Sequence, residues 1–169
     1  MNLSFSEIKN WSGFEDLMAA YLRKLKEDTA YNISEVEVNP SGVGPDGGRD
    51  IIVKFRMNDG LSKFERKWVI QCKFYAKSVS KNHLSSVNIP SLVHQYGADG
   101  YLLVCKNDVT TPTRDMFNDF DRGCKFRYRY LIWKGEEFLE RLYNTPAIHQ
   151  QYFPKYWSSV QKMKAKKKK

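Results

Sequence analysis

Apolar residues recur at spacings of three and four between residues 11 and 25, and this period predicts an amphipathic helix. Ser12 is its candidate N-cap, with Glu15 three positions later as a capping-box partner. At about 100° per residue, Glu15 borders the apolar face of this helix, whereas Asp16 points away from it. An acid is therefore expected at the seam between the helix and the surface against which it packs.

Alternation of apolar and polar residues follows this helix and predicts three strands. They cover residues 31–38, 51–55 and 67–74. The Asn58-Asp59-Gly60 turn lies between the second and the third, which predicts a hairpin. The segment NPSGVGPDGGRD, residues 39–50, is typical of a turn.

The second half of the chain alternates helices with strands. The pattern predicts a helix over 81–96 interrupted by Pro90, a buried central strand over 101–105, a helix over 111–120 ended by Gly123, a strand over 126–133 and a helix over 136–143. This order predicts one α/β domain over residues 1–160, with a mixed central sheet flanked by helices.

Charge changes this picture only at the C-terminus. The net charge is +9, but six of the 28 basic residues lie within residues 162–169. Residues 161–169 are therefore predicted to be a disordered, lysine-rich tail, which is either inert or adds non-specific affinity for phosphates.

Composition also excludes several classes of protein. No apolar run reaches the ~20 residues of a membrane span, and acidic residues stand where a signal peptide would be apolar. Three widely spaced cysteines favour a reducing, cytoplasmic setting over a disulfide framework. Because neither a CxxC pair nor an HExxH pattern occurs, zinc chemistry is not expected.

The turn before the second strand contains Gly42-Val43-Gly44-Pro45-Asp46-Gly47, which formally matches the GxGxxG dinucleotide fingerprint. That fingerprint needs a helix to begin at the glycines, whereas here a strand follows. We therefore reject nucleotide binding. The glycines instead predict a tight turn that brings Asp50 to the start of a strand.

The third strand combines two polar residues on one face. A period of two places Trp68, Ile70, Cys72 and Phe74 on one side and Gln71 with Lys73 on the other. A lysine beside an amide, across the hairpin from Asp50, suits a divalent metal and a phosphate. The alternative is an amphipathic edge strand with a solvated face, and Glu15 is equally consistent with a simple capping role.

Together these motifs resemble a known family. Trp11 with FEDLMAAYLRKL, then GPDGGRDIIV, WVIQCKFY, HQYGADGYLLV and WKGEEFLERL, resemble the catalytic domain of Mrr-type restriction endonucleases, a branch of the PD-(D/E)XK nuclease superfamily. The resemblance spans residues 11–143. Its most specific parts are the Asp-Gly-Gly-x-Asp segment before an apolar strand and Gln-Cys-Lys about twenty residues later.

The resemblance implies a restriction-endonuclease-like αβββαβ core and Mg²⁺-dependent hydrolysis of DNA phosphodiesters, with Mn²⁺ as a substitute, in restriction or defence. By matching positions it implies that Asp50 binds the metal and that Gln71 and Lys73 form the (D/E)XK pair in a QXK variant. Glu15 would be the acid of the first helix. The main-chain carbonyl of Cys72 would complete the protein ligands. Because an amide carries no charge, metal affinity would depend on Glu15.

The other acid of the turn, Asp46, either lies beside the metal ligands or only shapes the turn. Four basic residues near the motifs are weaker candidates for contacts with DNA phosphates. They are Arg49, Lys54, Lys77 and Lys81. Expected partners are DNA, a second copy of the chain, and a separate targeting domain or protein, with no membrane.

The strand at 126–133 alternates Phe126, Tyr128 and Tyr130 with Arg127 and Arg129. This pattern favours an aromatic face in the core, and the alternative is a strip that stacks on bases and binds phosphates. Two other functions stay open for the whole chain: a structure-specific resolvase for junctions or flaps, and a non-cleaving DNA-binding module. No residue favours RNA over DNA.

Overall fold

A computed structural model describes residues 2–40 and 49–167. Its centre is a five-stranded mixed sheet with the strand order β1-β2-β3-β4-β5. The strands are β1 (Ile33–Pro40), β2 (Ile51–Asn58), β3 (Lys63–Lys73), β4 (Gly100–Cys105) and β5 (Arg129–Trp133). Neighbouring strands from β1 to β3 pair antiparallel, whereas β4 lies parallel to both β3 and β5. The predicted mixed sheet and the predicted hairpin are thus confirmed.

Helices cover both faces of this sheet. They are α1 (Trp11–Lys24), α2 (Ile89–Gln95), α3 (Thr111–Gly123), α4 (Gly135–Tyr143), α5 (His149–Tyr152) and α6 (Pro154–Lys167). The predicted N-cap of α1 is wrong. Asn10, not Ser12, caps the helix, because its side-chain oxygen accepts a hydrogen bond from the Gly13 N–H at 2.8 Å.

Alternation along the strands divides the apolar residues between two cores. Phe14 of α1, Ile70 of β3, Val104 of β4 and Phe138 of α4 belong to the first. The second core lies between the sheet and helices α2 and α3. Its central members are Val69, Val93, Tyr101, Leu103 and Phe117. All six residues of β4 are buried because both of its faces are covered, as the continuous apolar run predicted.

Two predictions for the C-terminal third are wrong. The fifth strand begins at Arg129 rather than at residue 126, and Phe126 is 73% exposed instead of lying in the core. Helix α6 runs from Pro154 to Lys167 and so continues past residue 160, the predicted end of the domain. Glu7 stabilises the start of α6, since its carboxylate accepts hydrogen bonds from the backbone N–H groups of Lys155 and Tyr156.

Within the part of the chain that the structure describes, no helix is both long enough and apolar enough to cross a membrane.

Candidate active site

Asp50 stands at the point where the glycine-rich turn enters β2. Its backbone N–H donates to the carbonyl of Ile70 at 2.8 Å, which continues the antiparallel ladder by one residue. Its carboxylate accepts a hydrogen bond from the backbone N–H of Cys72 at 2.5 Å. These two bonds tie the start of β2 to the end of β3 and fix the half-buried carboxylate beside the QXK segment.

Gln71 is buried, with 5% of its surface exposed. Its side-chain oxygen accepts a hydrogen bond from the hydroxyl of Tyr101 at 2.8 Å. Burial, followed by the negative charge of Asp50, holds the pKa of Tyr101 well above its ordinary value. The phenol therefore remains a donor at neutral pH, and it fixes the orientation of the Gln71 amide.

Cys72 lies at the centre of the predicted group of residues. Burial raises the pKa of its thiol well above the ordinary value, and the charges of Asp50 and Glu15 raise it further. Lys73 acts on the same thiol in the opposite direction. Since charges act on one another mainly at short range, Glu15, Asp50 and Lys73 all lie near this thiol at the end of β3.

Glu15 reaches this point from α1. It is half-buried, whereas its neighbour Asp16 is exposed, as the helical period predicted. The helix is held there by Phe14, which is fully buried and packs against Phe74 with ring centroids 5.4 Å apart. Packing of the apolar face of α1 thus brings an acid against the end of the sheet.

Lys73 is the last residue of β3. Its carbonyl accepts a hydrogen bond from the Lys106 N–H at 2.9 Å, and its ammonium group lies 5.8 Å from the ring centroid of Tyr75. The side chain is half-buried. It therefore combines a backbone fixed by the sheet with an amine close to solvent.

The donor atoms at this point suit a hard divalent cation. The candidate donors are the carboxylates of Asp50 and Glu15 and the side-chain oxygen of Gln71, and Mg²⁺ in proteins is commonly held by one or two carboxylates together with water and substrate phosphates. No group of three His, Cys, Asp or Glu side chains that could hold a metal occurs within residues 2–40 and 49–167. By their chemistry, the two carboxylates fit an ion that takes its other ligands from water and substrate.

The four basic candidates for DNA contacts have different surroundings. Lys77 and Lys81 are exposed on the segment after β3. Lys54 pairs with Glu37 at 3.3 Å, and the guanidinium of Arg49 lies 4.7 Å above the ring of Tyr96. Among the described residues, only Lys77 and Lys81 of these four therefore present a cation with neither an ion pair nor an aromatic partner. Asp46 lies outside the described residues.

Tyr101 is the functional candidate that the sequence did not reveal. The sequence indicated only that it begins a buried apolar strand. A signal was present, because a buried phenol needs a hydrogen-bond partner and no other residue of that run has a polar side chain besides the weakly polar Cys105. The partner itself depends on the pairing of β4 with β3, which places Tyr101 opposite Val69 and hence near Gln71.

The mixed five-stranded sheet with helices on both faces has the restriction-endonuclease-like α/β fold. The model of the Mrr_cat restriction endonuclease family matches residues 7–142, so the chain belongs to that family. A search of the curated proteins gives no match.

Two solved structures are similar to the chain. One is the DNA modification-dependent restriction endonuclease AspBHI, with a TM-score of 0.48 and 12% identity over 86% of this chain and 38% of that chain. The other is the MspJI restriction endonuclease in complex with a 27-mer oligonucleotide, with a TM-score of 0.44 and 14% identity over 83% of this chain and 34% of that chain. The chain thus spans less than two fifths of either protein.

Proposed function

We propose that the protein is a Mg²⁺-dependent endonuclease that hydrolyses phosphodiester bonds of DNA in restriction. The observation that carries this proposal is the hydrogen bond from the Cys72 N–H to Asp50, which holds a carboxylate beside Gln71 and Lys73 in a chain of a restriction endonuclease family. Two acids and an amine at the end of a sheet supply the metal-binding and charge-stabilising groups that phosphodiester hydrolysis needs.

Restriction endonucleases generally use divalent metal ions. In this chain Asp50, Glu15, the side-chain oxygen of Gln71 and the main-chain carbonyl of Cys72 would hold the ion, with Mn²⁺ as a substitute for Mg²⁺. When bound, such an ion lowers the pKa of coordinated water and offsets the negative charge that develops on the phosphate.

The protein side chains have separate tasks in this proposal. The Lys73 ammonium group orients the attacking water and stabilises the negative charge on the non-bridging phosphate oxygens. Tyr101 keeps the Gln71 oxygen in one orientation through its 2.8 Å hydrogen bond. Lys77 and Lys81 hold the DNA backbone without reading its sequence.

The proposal includes two partners besides DNA. One site cuts one strand, so we propose that two copies act together on a duplex. Because these few backbone contacts carry no sequence information, we also propose that a separate targeting domain or protein selects the DNA.

Cleavage of supercoiled plasmid tests the proposal. Methylated and unmethylated plasmids are tested in parallel. The wild-type protein is expected to nick or linearise at least one of them with Mg²⁺ and to leave both intact with EDTA. Asp50→Ala and Lys73→Ala are each expected to lower the cleavage rate at least a hundredfold, since each removes a group that acts on the reacting phosphate. Gel densitometry over time measures the rates.

Two matched controls accompany these variants. Asp16→Ala removes an exposed acid one residue from Glu15, and Lys24→Ala removes a lysine that pairs with Glu27 at the far end of α1. Both are expected to cut at the wild-type rate. Wild-type protein that binds plasmid but never cuts it, with binding unchanged in Asp50→Ala and Lys73→Ala, would instead indicate a non-cleaving DNA-binding module.

A further inference from the structure

Two stacked aromatic rings, of which Phe126 is exposed, precede β5. Phe126 has 73% of its surface exposed, and its ring stacks on that of Tyr128 with centroids 5.7 Å apart and planes 26° apart. An exposed phenylalanine loses the free energy of burial that stabilises the rings of the core. The exposed ring of Phe126, backed by the partly buried ring of Tyr128, presents an apolar face to a ligand.

The backbone between the two rings is strained. Arg127 has a φ of 58°, in the left-handed region that residues with a β-carbon rarely adopt. Its N–H closes a turn onto the carbonyl of Cys124 at 3.4 Å. Such conformations have a free-energy cost and cluster at ligand-binding segments. Here the strained residue separates the two stacked rings.

A cleft of about 470 Å³ lies beside the aromatic pair. Pro90 and His94 of α2 form one wall, and Phe120 and Tyr130 belong to the lining on the side of α3 and β5. Clefts of about 300–1,000 Å³ with mainly apolar walls are typical of sites for small planar ligands. We refer to this cleft, together with Phe126 and Tyr128, as the aromatic cleft.

Cations lie beside the aromatic cleft, whose lining includes Lys125 and the acid Asp119. Arg122, Lys125 and Arg127 are exposed, and none of them forms an ion pair with another described residue. Arg129, by contrast, is held by Asp121 at 2.9 Å. The segment 122–129 contains four basic residues and no acid. Its charge therefore complements a polyanion rather than an apolar protein surface.

We propose that the aromatic cleft binds an unpaired nucleobase of a single-stranded nucleic acid segment, whose phosphates contact Arg122, Lys125 and Arg127. Aromatic rings that stack on bases, with cations along the backbone, are the two components of single-strand binding. A duplex keeps its bases stacked on one another, so it offers no free base face to Phe126 and Tyr128.

The aromatic cleft is separate from the candidate active site. Lys73 ends β3, whereas the cleft lies where β5 begins, and β3, β4 and β5 run parallel. Five residues of parallel strand separate the end that carries Lys73 from the end at which the cleft lies, a distance of about 17 Å. Base binding here does not depend on hydrolysis at Lys73, and the two proposals fail independently.

Fluorescence anisotropy of a labelled 20-nucleotide oligo-dT, in EDTA, tests this inference. Phe126→Ala is expected to weaken binding on the order of tenfold, the usual effect of losing one stacked base. Phe126→Trp, which keeps a stacking ring, is expected to bind as tightly as the wild type. Because Phe126 is largely exposed, neither substitution opens a cavity, and thermal melting verifies the fold.

Three comparisons complete the test. Tyr143→Ala removes another exposed aromatic ring, on α4, and is expected to leave oligo-dT binding unchanged. Binding of a 20-base-pair duplex is expected to change less than twofold in Phe126→Ala. The double variant Arg122→Ala, Lys125→Ala is expected to lower the salt slope of oligo-dT binding by about 0.7 for each lost phosphate contact.

Equal oligo-dT affinity of Phe126→Ala, Tyr143→Ala and the wild type would overturn the inference. So would a concentration-dependent self-association that Phe126→Ala alone abolishes, since the cleft would then be a contact between copies. Plasmid cleavage that depends on Asp50 but not on Phe126 would leave the proposed function intact in either case.

Discussion

At the scale of single residues, the hydrogen bond between Tyr101 and Gln71 connects stability to the candidate site. Both side chains are buried, and each is the partner that the other needs away from water. The raised pKa of Tyr101 keeps the phenol protonated, so the amide oxygen always has its donor. The orientation of Gln71 is thus determined by a residue on the neighbouring strand.

Substituting Tyr101 by phenylalanine tests this connection. Tyr101→Phe leaves the shape of the core nearly unchanged but removes the donor, so a buried amide oxygen loses its hydrogen bond. We expect the free energy of unfolding in urea to fall by about 1–3 kcal/mol. The plasmid cleavage rate is expected to fall as well, because Gln71 then lacks a fixed orientation. Unfolding and cleavage that both match the wild type would show that this hydrogen bond neither stabilises the fold nor orients Gln71 for cleavage.

The residues of the site illustrate what the sequence reveals and what it hides. Two periods, 3.6 in α1 and 2 in β3, place Glu15 at the border of a helix and Lys73 beside Gln71 on a strand. Both are properties of one element. The role of Tyr101 depends on the register between β3, which ends at Lys73, and β4, which begins 27 residues later, and no local pattern specifies that register.

At the scale of elements, a close approach of backbone fixes the start of α4. A β-carbon on Gly135 would overlap the carbonyl oxygen of Lys106, and the Gly135 N–H donates to the carbonyl of Asn107 at 2.9 Å. The N–H of Lys106 in turn bonds to the carbonyl of Lys73. The glycine thus lets α4 lie against the loop that borders the candidate site.

Gly135→Ala is accordingly expected to destabilise the fold by about 1–3 kcal/mol, because the clash is with backbone that cannot rotate away. Gly123→Ala is the matched control at the end of α3, where an added β-carbon meets nothing within 4 Å. That control is expected to change stability by less than about 1 kcal/mol. Urea unfolding of both variants measures the difference, and equal midpoints would contradict the close approach.

Asp121 joins α3 to β5. Burial acts to raise its pKa, but the Tyr130 N–H and the Arg129 side chain, at 3.0 and 2.9 Å, outweigh burial and lower it. A carboxyl with a lowered folded-state pKa stabilises the fold when it is ionised. Its contribution is therefore present above the unfolded pKa of about 3.9 and is lost as the pH falls through the folded-state pKa.

Asp121→Asn is expected to reduce the free energy of unfolding by about 1 kcal/mol at pH 7. The gap between wild type and variant should stay constant from pH 7 to pH 5 and then close as the pH falls below about 4. Urea unfolding at each pH measures it. A gap that stays constant down to pH 3 would show that the charge of Asp121 does not contribute.

A helix or strand could be predicted from the sequence where a local pattern of apolar residues specifies it. It could not be predicted where a contact with a distant part of the chain specifies it. The periods of α1 and β4 are strong, and both elements lie close to their predicted positions. The cap at Asn10 lies one residue before the apolar pattern begins. Helix α6 depends on Glu7, 147 residues before the Pro154 at which the helix begins, and lysines alone gave no sign of it.

At the scale of the whole molecule, the parallel strands of the sheet carry separate surfaces at their two ends. The candidate active site lies where β3 ends, with one core holding α1 and Glu15 against it and the other core holding Tyr101. The aromatic cleft lies where β5 begins. The chain thus carries its candidate acids and its exposed Phe126 at opposite ends of the parallel strands.

The Mg²⁺ dependence of plasmid cleavage, compared between Glu15→Gln and Asp16→Asn, tests whether Glu15 and Asp50 hold one cation. The two variants each remove one negative charge, from adjacent residues of α1 that differ only in which way they face. If Glu15 and Asp50 hold one cation, Glu15→Gln raises the half-saturating Mg²⁺ concentration on the order of tenfold or more, and Asp16→Asn leaves it unchanged. Identical Mg²⁺ curves for both variants and the wild type, or no cleavage by the wild type at any Mg²⁺ concentration, would contradict the account.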